Sequence, residues 1–184
     1  MYMEIIKYDN TSRFKVWLLE NIDTILLTSF YALSFSIPFL IEKPQILVGM
    51  CINLLITIST LKFGLKKTIP ILILPSLSAY LHGILFNGAT IFLLYLIPFI
   101  ILSNLIYSSV IYKVGNKYIS VILGSFLKTV FLFSVANIFV NSFNLPTIFL
   151  TTMGINQLIT ALTGGILAVI FYDMKNNSFV KNIF

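Results

Sequence analysis

The residue with the most distinctive chemistry in this sequence is Lys128. It lies in an apolar run, from Tyr118 to Asn141, that contains no other charged residue. At 1.5 Å per helical residue, Lys128 is about 15 Å from the start of that run. A lysine facing lipid at that depth costs about 2.5 to 3.5 kcal/mol on insertion scales, so we expect Lys128 to face other helices and to have a partner.

The partner of Lys128 is not evident, because no Asp or Glu lies inside an apolar run: Asp23, Glu42 and Asp173 all stand at the ends of runs. Three interpretations are open. Lys128 donates to backbone carbonyls and amide side chains as a structural bridge, or an anionic ligand supplies the missing charge, or burial leaves the amine neutral.

The last apolar run, Thr147 to Tyr172, places amide side chains at the same depth as Lys128. Asn156 and Gln157 are about 15 Å along it by the same count. One helical face of this run offers hydrogen bonds, and a neighbouring face of small residues offers close packing. The polar face either contributes to a binding site or only binds helices together. The two faces consist of Asn156, Thr160, Thr163 and Gly164, and of Ala161, Gly165 and Ala168.

Further polar residues gather near the level at which these runs meet one side of the membrane. Their clustering predicts a polar pocket that is open to the outside and closed toward the cytoplasm, although each residue alone is equally explained by packing or by the membrane interface. The predicted ligand-binding residues are Lys128, Asn156, Gln157, Thr160, Asn53, Tyr95, Asn137, His82 and Asn87.

The elements that carry these residues are membrane-spanning helices. Hydrophobic residues make up 58% of the 184 residues and charged residues only 10%, whereas soluble domains carry about a quarter charged residues. The apolar residues form continuous runs and do not alternate with polar ones, which excludes an outer-membrane barrel. We predict an all-α integral membrane protein, a bundle of six transmembrane helices at about Ile22–Ile41, Ile46–Leu61, Thr68–Leu81, Thr90–Tyr112, Tyr118–Asn141 and Thr147–Tyr172.

Basic residues predict the orientation of this bundle, because Lys and Arg favour cytoplasmic loops. With the N-terminus inside, ten of the twelve basic residues lie on the cytoplasmic side and Lys43 alone lies opposite, which gives an N-in/C-in topology. Residues 1–21 are predicted to form an interfacial helix, residues 22–175 the membrane domain and residues 176–184 a cytoplasmic tail. A cleavable signal peptide is the alternative for the N-terminus. The net charge of +6 then faces membrane lipid and does not indicate nucleic-acid binding.

Catalysis and metal binding are not indicated. The chain has one cysteine, Cys51, and one histidine, His82, so a disulfide or a cysteine-based metal site cannot form within it. No phosphate-binding G-x-x-x-x-G-K-[ST] string is present. A membrane cysteine peptidase is a remote alternative, since Cys51 lies in an apolar setting and nothing evidently orients His82. We therefore predict no catalytic residue, no metal and no cofactor.

Small residues on the first span predict close contact with another helix. Ser29, Ala32 and Ser36 share one face, and Ala32-x-x-x-Ser36 is a small-xxx-small pair. Packing inside the bundle is the alternative to contact with a partner protein.

Taken together, these features resemble the S components of energy-coupling-factor (ECF) transporters. The most specific part is the final-span string Met153-Gly154-Ile155-Asn156-Gln157-Leu158-Ile159-Thr160-Ala161-Leu162-Thr163-Gly164-Gly165. The resemblance implies a subunit of a bacterial plasma membrane that binds a vitamin, a vitamin precursor or a metal from outside. It also implies two kinds of partner, a transmembrane T component and two cytoplasmic ATPases. The His-Asp N-terminus typical of cobalt and nickel S components is absent, which disfavours metal uptake.

The resemblance also implies roles for particular residues. Ala32 and Ser36 would contact the T component, with Ser36 standing where the family has alanine. The loops Glu42–Gln45 and His82–Ala89 would gate the pocket, and Lys128, Asn156 and Gln157 would line its floor. The alternative is a non-catalytic scaffold resembling the small rod-shape-determining membrane protein, in which the polar residues only bind helices together.

Overall fold

The computed structural model describes residues 2–41, 43–83 and 92–176, and within them the side chains from residue 13 to residue 175. No β-strand occurs in these ranges. The helices are α1 (Tyr2–Leu40), α2 (Gln45–His82), α3 (Leu93–Lys113), α4 (Lys117–Phe143), α5 (Ile148–Met153) and α6 (Ile155–Asn176).

Five helical stretches among the described residues are long and apolar enough to cross a membrane, which is compatible with a multi-pass membrane protein. The prediction of an all-α fold is therefore confirmed for the described residues, with several helices long and apolar enough to cross a membrane. The count of six spans and the N-in/C-in orientation stay predictions. The five stretches are Arg13–Leu40, Gln45–His82, Leu93–Lys113, Lys117–Phe143 and Ile148–Lys175.

Two of the predicted spans, the second and the third, lie within the single element α2. Its residue Gly64 has φ 80° and ψ 172°, a conformation that glycine adopts without the steric cost of a side chain. Ser59 Oγ and Thr68 Oγ1 are 3.0 Å apart, although nine residues of straight helix would extend about 13.5 Å. The chain therefore turns back at Gly64, and the two halves of α2 lie side by side.

The helix α1 is continuous from Tyr2 and packs on α2. The predicted interfacial segment and the first predicted span thus belong to one helix, while the position of that segment at a membrane surface stays a prediction. Tyr31 Oη donates to Lys67 O at 2.8 Å, and Ser78 Oγ donates to Phe35 O at 2.5 Å. The predicted tail beyond Asn176 lies outside the described residues.

Small residues bring α6 close to its neighbours, as the sequence predicted. The contact with α2, however, is made by Gly164, which the sequence analysis had placed on the polar face. A Cβ on Gly164 would clash with the carbonyl oxygen of Met50 and lie 3.0 Å from the backbone nitrogen of Leu54. Ala161 and Ala168 are fully buried. Thr163, predicted to share a face with Gly164, is instead exposed and donates to Ile159 O at 2.7 Å.

The end of the bundle at Gly64 collects basic side chains and two ion pairs. Lys62 Nζ lies 2.5 Å from Asp23 Oδ1, and Lys117 at the start of α4 pairs with Asp173 near the end of α6. A Cβ on Gly64 would lie 3.7 Å from the ring of Tyr112 at the end of α3. The turn of α2, the end of α3, the start of α4 and the end of α6 therefore lie together.

We expect Gly164→Ala to destabilise the bundle by about 1 to 3 kcal/mol, because the added methyl group meets backbone atoms of α2 that cannot rotate away. The control is Gly115→Ala in the α3–α4 connection, where nothing lies within 4 Å of the new methyl group. Thermal unfolding of both variants in detergent measures the difference. Equal unfolding midpoints would show that α2 and α6 do not depend on this close approach.

Candidate functional site

A cavity of about 110 Å³ lies inside the bundle at the end opposite Gly64. Its lining includes Pro38 near the end of α1, Gln45 at the start of α2, Ala79 near the end of α2 and Leu93 at the start of α3. Lys128, in the middle of α4, also lines it. These positions show that the cavity extends from one end of the bundle to about the middle of its helices.

The side chain of Lys128 is buried and makes one hydrogen bond to the described residues. Only 2% of Lys128 is exposed, and its Nζ donates to Asn53 Oδ1 at 2.7 Å. The same ammonium lies 5.4 Å from the centre of the Tyr107 ring, within the range of a cation–π contact. Gly124, one turn earlier on α4, allows this approach, since a Cβ there would lie 3.0 Å from Tyr107 Cδ2.

No carboxylate lines this cavity among the described residues. An ammonium group has three N–H donors, and in the described part of the chain Asn53 is the only acceptor that Lys128 contacts. The interior position expected from the sequence is therefore observed. The amide partner agrees with a structural bridge, but two of the three donors have no acceptor among the described residues.

Asn53 is oriented toward Lys128 by contacts with two helices. Its Nδ2 donates to Gly49 O at 2.8 Å within α2 and to Thr160 Oγ1 at 3.4 Å on α6. With the amide nitrogen directed to these acceptors, the amide oxygen is left for the lysine. The hydrogen bonds of Asn53 thus join α2, α4 and α6 at one level.

Beyond Lys128, toward Gly64, several buried polar side chains pair with one another, although Ser125 Oγ, one turn before Lys128, has no partner among the described residues. Thr57 Oγ1 lies 2.9 Å from Tyr107 Oη, which also donates to Ala161 O at 3.2 Å. Thr60 Oγ1 lies 2.6 Å from Ser108 Oγ. These five paired residues are buried, so the cavity ends at this layer and does not continue as a channel.

Gln157 presents an acceptor without a partner. Its Oε1 is buried and makes no hydrogen bond to the described residues, and the residue lines the cavity. A buried polar atom left unpaired costs about 1 to 3 kcal/mol. Gln157 therefore places a buried, unpaired acceptor in the wall of the cavity.

The structure brings together five of the nine predicted ligand-binding residues. All five line the cavity, although each was selected from the sequence on depth and polarity alone. They are Lys128, Asn156, Gln157, Thr160 and Asn53.

The three other predicted positions that the structure describes do not line it. Tyr95 is 58% exposed on α3. Asn137 is exposed and accepts from Asn141 Nδ2 at 3.0 Å, and the His82 ring lies 4.9 Å from that of Phe39. These residues share a level with the cavity but point elsewhere around their helices.

Parts of the predicted gate fall outside the described residues. They include Asn87 and Glu42, together with most of the predicted loop His82–Ala89.

Asn104 on α3 lines the cavity but was not among the predicted residues. Its Nδ2 donates to Leu72 O at 3.3 Å. This bond falls beside Pro75, which has no N–H and weakens the backbone hydrogen bonding of α2 locally. The carbonyl that Pro75 deprives of a helical donor is that of Ile71, so the prolines did not point to this bond. The available signal was Asn104 itself, because an amide inside an apolar run has to face protein.

Comparison with known proteins gives no assignment: no family model, no curated protein and no solved structure matches the chain. Among the described residues, no group of three or more His, Cys, Asp or Glu side chains is placed to hold a metal ion. A function has to be argued from the cavity and the residues that line it.

A double-mutant cycle tests the coupling of Lys128 to Asn53. We expect Asn53→Leu to destabilise the protein by about 1 to 3 kcal/mol, because it leaves a buried ammonium without an acceptor. In the Lys128→Met background the same change should cost less, since no charge remains unpaired. Equilibrium unfolding in detergent gives the coupling free energy, expected at about 0.5 to 3 kcal/mol. Additive effects would mean that the 2.7 Å contact contributes nothing to stability.

Proposed function

We propose that this chain is the substrate-binding membrane subunit, or S component, of an ECF-type uptake transporter, and that it captures a small molecule from outside in the cavity around Lys128. One observation carries the proposal: a buried ammonium borders an open space with one amide acceptor and, among the described lining residues, no carboxylate. A lysine that only joined helices would be expected to have its remaining donors paired within packed protein.

The proposed topology has six crossings, with both termini in the cytoplasm. The two halves of α2, residues 45–63 and 65–82, each extend about 28 Å, close to the 30 Å hydrocarbon core of a bilayer. The basic residues at the Gly64 end would then face the cytoplasm of a bacterial cell, as Lys and Arg prefer. In this orientation the cavity opens to the outside.

The shape of the cavity favours a binding subunit over a channel. It opens toward one end of the bundle and is closed by the paired layer around Tyr107. A molecule bound there reaches the other side only if the whole subunit moves or changes conformation. Energy for that step would come from the partners, a transmembrane T component and two cytoplasmic ATPases.

A surface for the T component is available on α1. Ser29 and Ala32 are exposed, Ser36 is half-buried, and the face continues through Thr28 and Thr24. Small side chains allow a second helix to approach closely. Because this face is exposed, packing within the described bundle does not account for its small residues.

We expect wild-type protein, purified from its own membranes in mild detergent, to release a small molecule on denaturation, and Lys128→Met to release little of it. The control is Lys66→Met, the same substitution at an exposed lysine on the Gly64 turn. Mass spectrometry of the released material, quantified per mole of folded protein, gives the comparison.

Two results would contradict the proposed function. Equal release from wild type and Lys128→Met would remove Lys128 from the site. No released molecule from the wild type would favour the scaffold alternative, in which the cavity residues only hold helices together.

We expect Ala32→Leu to reduce co-purification of the T component while leaving release of the small molecule unchanged, because added bulk would prevent close helix approach on α1. The matched control is Thr163→Leu, which adds bulk at an exposed site on α6. Affinity purification of the tagged chain from cells that express all partners measures both. Normal assembly of Ala32→Leu would move the docking surface elsewhere.

A further inference from the structure

The charge of the cavity is the first constraint on what it binds. Lys128 is the one basic residue that lines it among the described residues, and no acidic residue lines it with Lys128. The two ion pairs of the described chain, at Lys62 and Lys117, lie at the opposite end of the bundle. An occupant that carries one negative charge would neutralise the cavity, and a cation would add like charge.

The size of the cavity is the second constraint. An apolar cavity of about 150 Å³ accommodates benzene, whereas sites for drug-sized ligands occupy about 300 to 1,000 Å³. At about 110 Å³, this cavity encloses about five or six non-hydrogen atoms, and a molecule of up to about ten would extend toward its open end. Nucleotides and other molecules with several rings exceed the enclosed volume.

The walls are the third constraint. Ile52, Ile100 and Met153 give most of the lining an apolar surface, which favours an organic body over a hydrated inorganic ion. The buried Oε1 of Gln157 has no donor among the described residues. A suitable ligand therefore combines a negative group, a small apolar body and at least one N–H or O–H donor.

We infer that the ligand is a compact organic monocarboxylate, with its carboxylate on the ammonium of Lys128 and a hydrogen-bond donor directed to Gln157. This inference rests on the proposed function, since it identifies the class of molecule that the same cavity captures. The carboxylate accepts the two N–H donors that Asn53 leaves unpaired, so that Lys128 has all three donors satisfied.

The test is a thermal-shift titration of the purified full chain with monocarboxylates of five to ten non-hydrogen atoms, each paired with its own primary amide. We expect at least one carboxylate to raise the unfolding midpoint and to bind about tenfold or more tighter than its amide, because a charge-assisted hydrogen bond is lost in the amide. Lys128→Met should abolish this preference, and Lys66→Met should retain it.

Asn53→Asp gives a sharper version of the test. The substitution places a carboxylate oxygen at the position of Asn53 Oδ1, 2.7 Å from Lys128 Nζ, so the protein itself supplies the missing charge. We expect the affinity for the carboxylate to fall about tenfold or more and its preference over the amide to disappear. If Asn53→Asp fails to fold, the comparison of Lys128→Met with Lys66→Met decides the matter.

Several outcomes would overturn the inference. They are equal affinity for carboxylate and amide, unchanged carboxylate affinity in Asn53→Asp, no response to any carboxylate of the panel, or an equal response to chloride or nitrate alone. A neutral or cationic molecule released from the wild type but not from Lys128→Met would overturn the inference and leave the proposed function standing. The absence of both a released molecule and any response to the panel would overturn both.

Discussion

The contact between Lys128 and Asn53 is the interaction on which the rest of this interior depends. An ammonium that is 98% buried requires an acceptor, and the amide of Asn53 supplies it at 2.7 Å only because Gly49 and Thr160 accept from its nitrogen. Thr160 reaches Asn53 because Gly164, one turn further along α6, permits contact with the backbone of α2. A glycine on one helix thus determines the direction of an amide on a second and the position of a lysine on a third.

The turn of α2 at Gly64 gives the cavity its location. Since the two halves of α2 lie side by side, Gly49 near its start and Ala79 near its end face the same space. At the other end of the bundle, near the turn, the halves are joined by the hydrogen bond between Ser59 and Thr68. A straight helix of 38 residues would extend about 57 Å and could not return its end to the cavity.

The sequence predicted the depth of residues better than their direction. Lys128, Asn53 and Gln157 were found because polar groups in hydrocarbon are costly and have to face protein. Tyr95 and Asn137 lie at comparable levels but point outward, because lipid and protein interior are both apolar and the sequence pattern does not separate the two faces of a membrane helix. The reversal within α2 was also not predicted. Its two predicted spans are joined at a single glycine, Gly64, with no loop between them.

The strongest argument for a binding site is the contrast between the two sides of Lys128. Toward Gly64, several buried hydroxyl groups pair with one another, as Thr57 does with Tyr107, and large apolar side chains such as Ile56 fill the remaining space. Toward the open end, the lining includes small or rigid residues that cannot fill the volume, and the Oε1 of Gln157 stays unpaired. If these helices only had to pack together, pairing the Gln157 acceptor would stabilise them further, since each unpaired buried group reduces stability. Unpaired buried groups do not by themselves separate the two sides, because Ser125 Oγ on the Gly64 side also has no partner among the described residues. The two sides differ in the open space, which lies only toward the open end and which a ligand would fill.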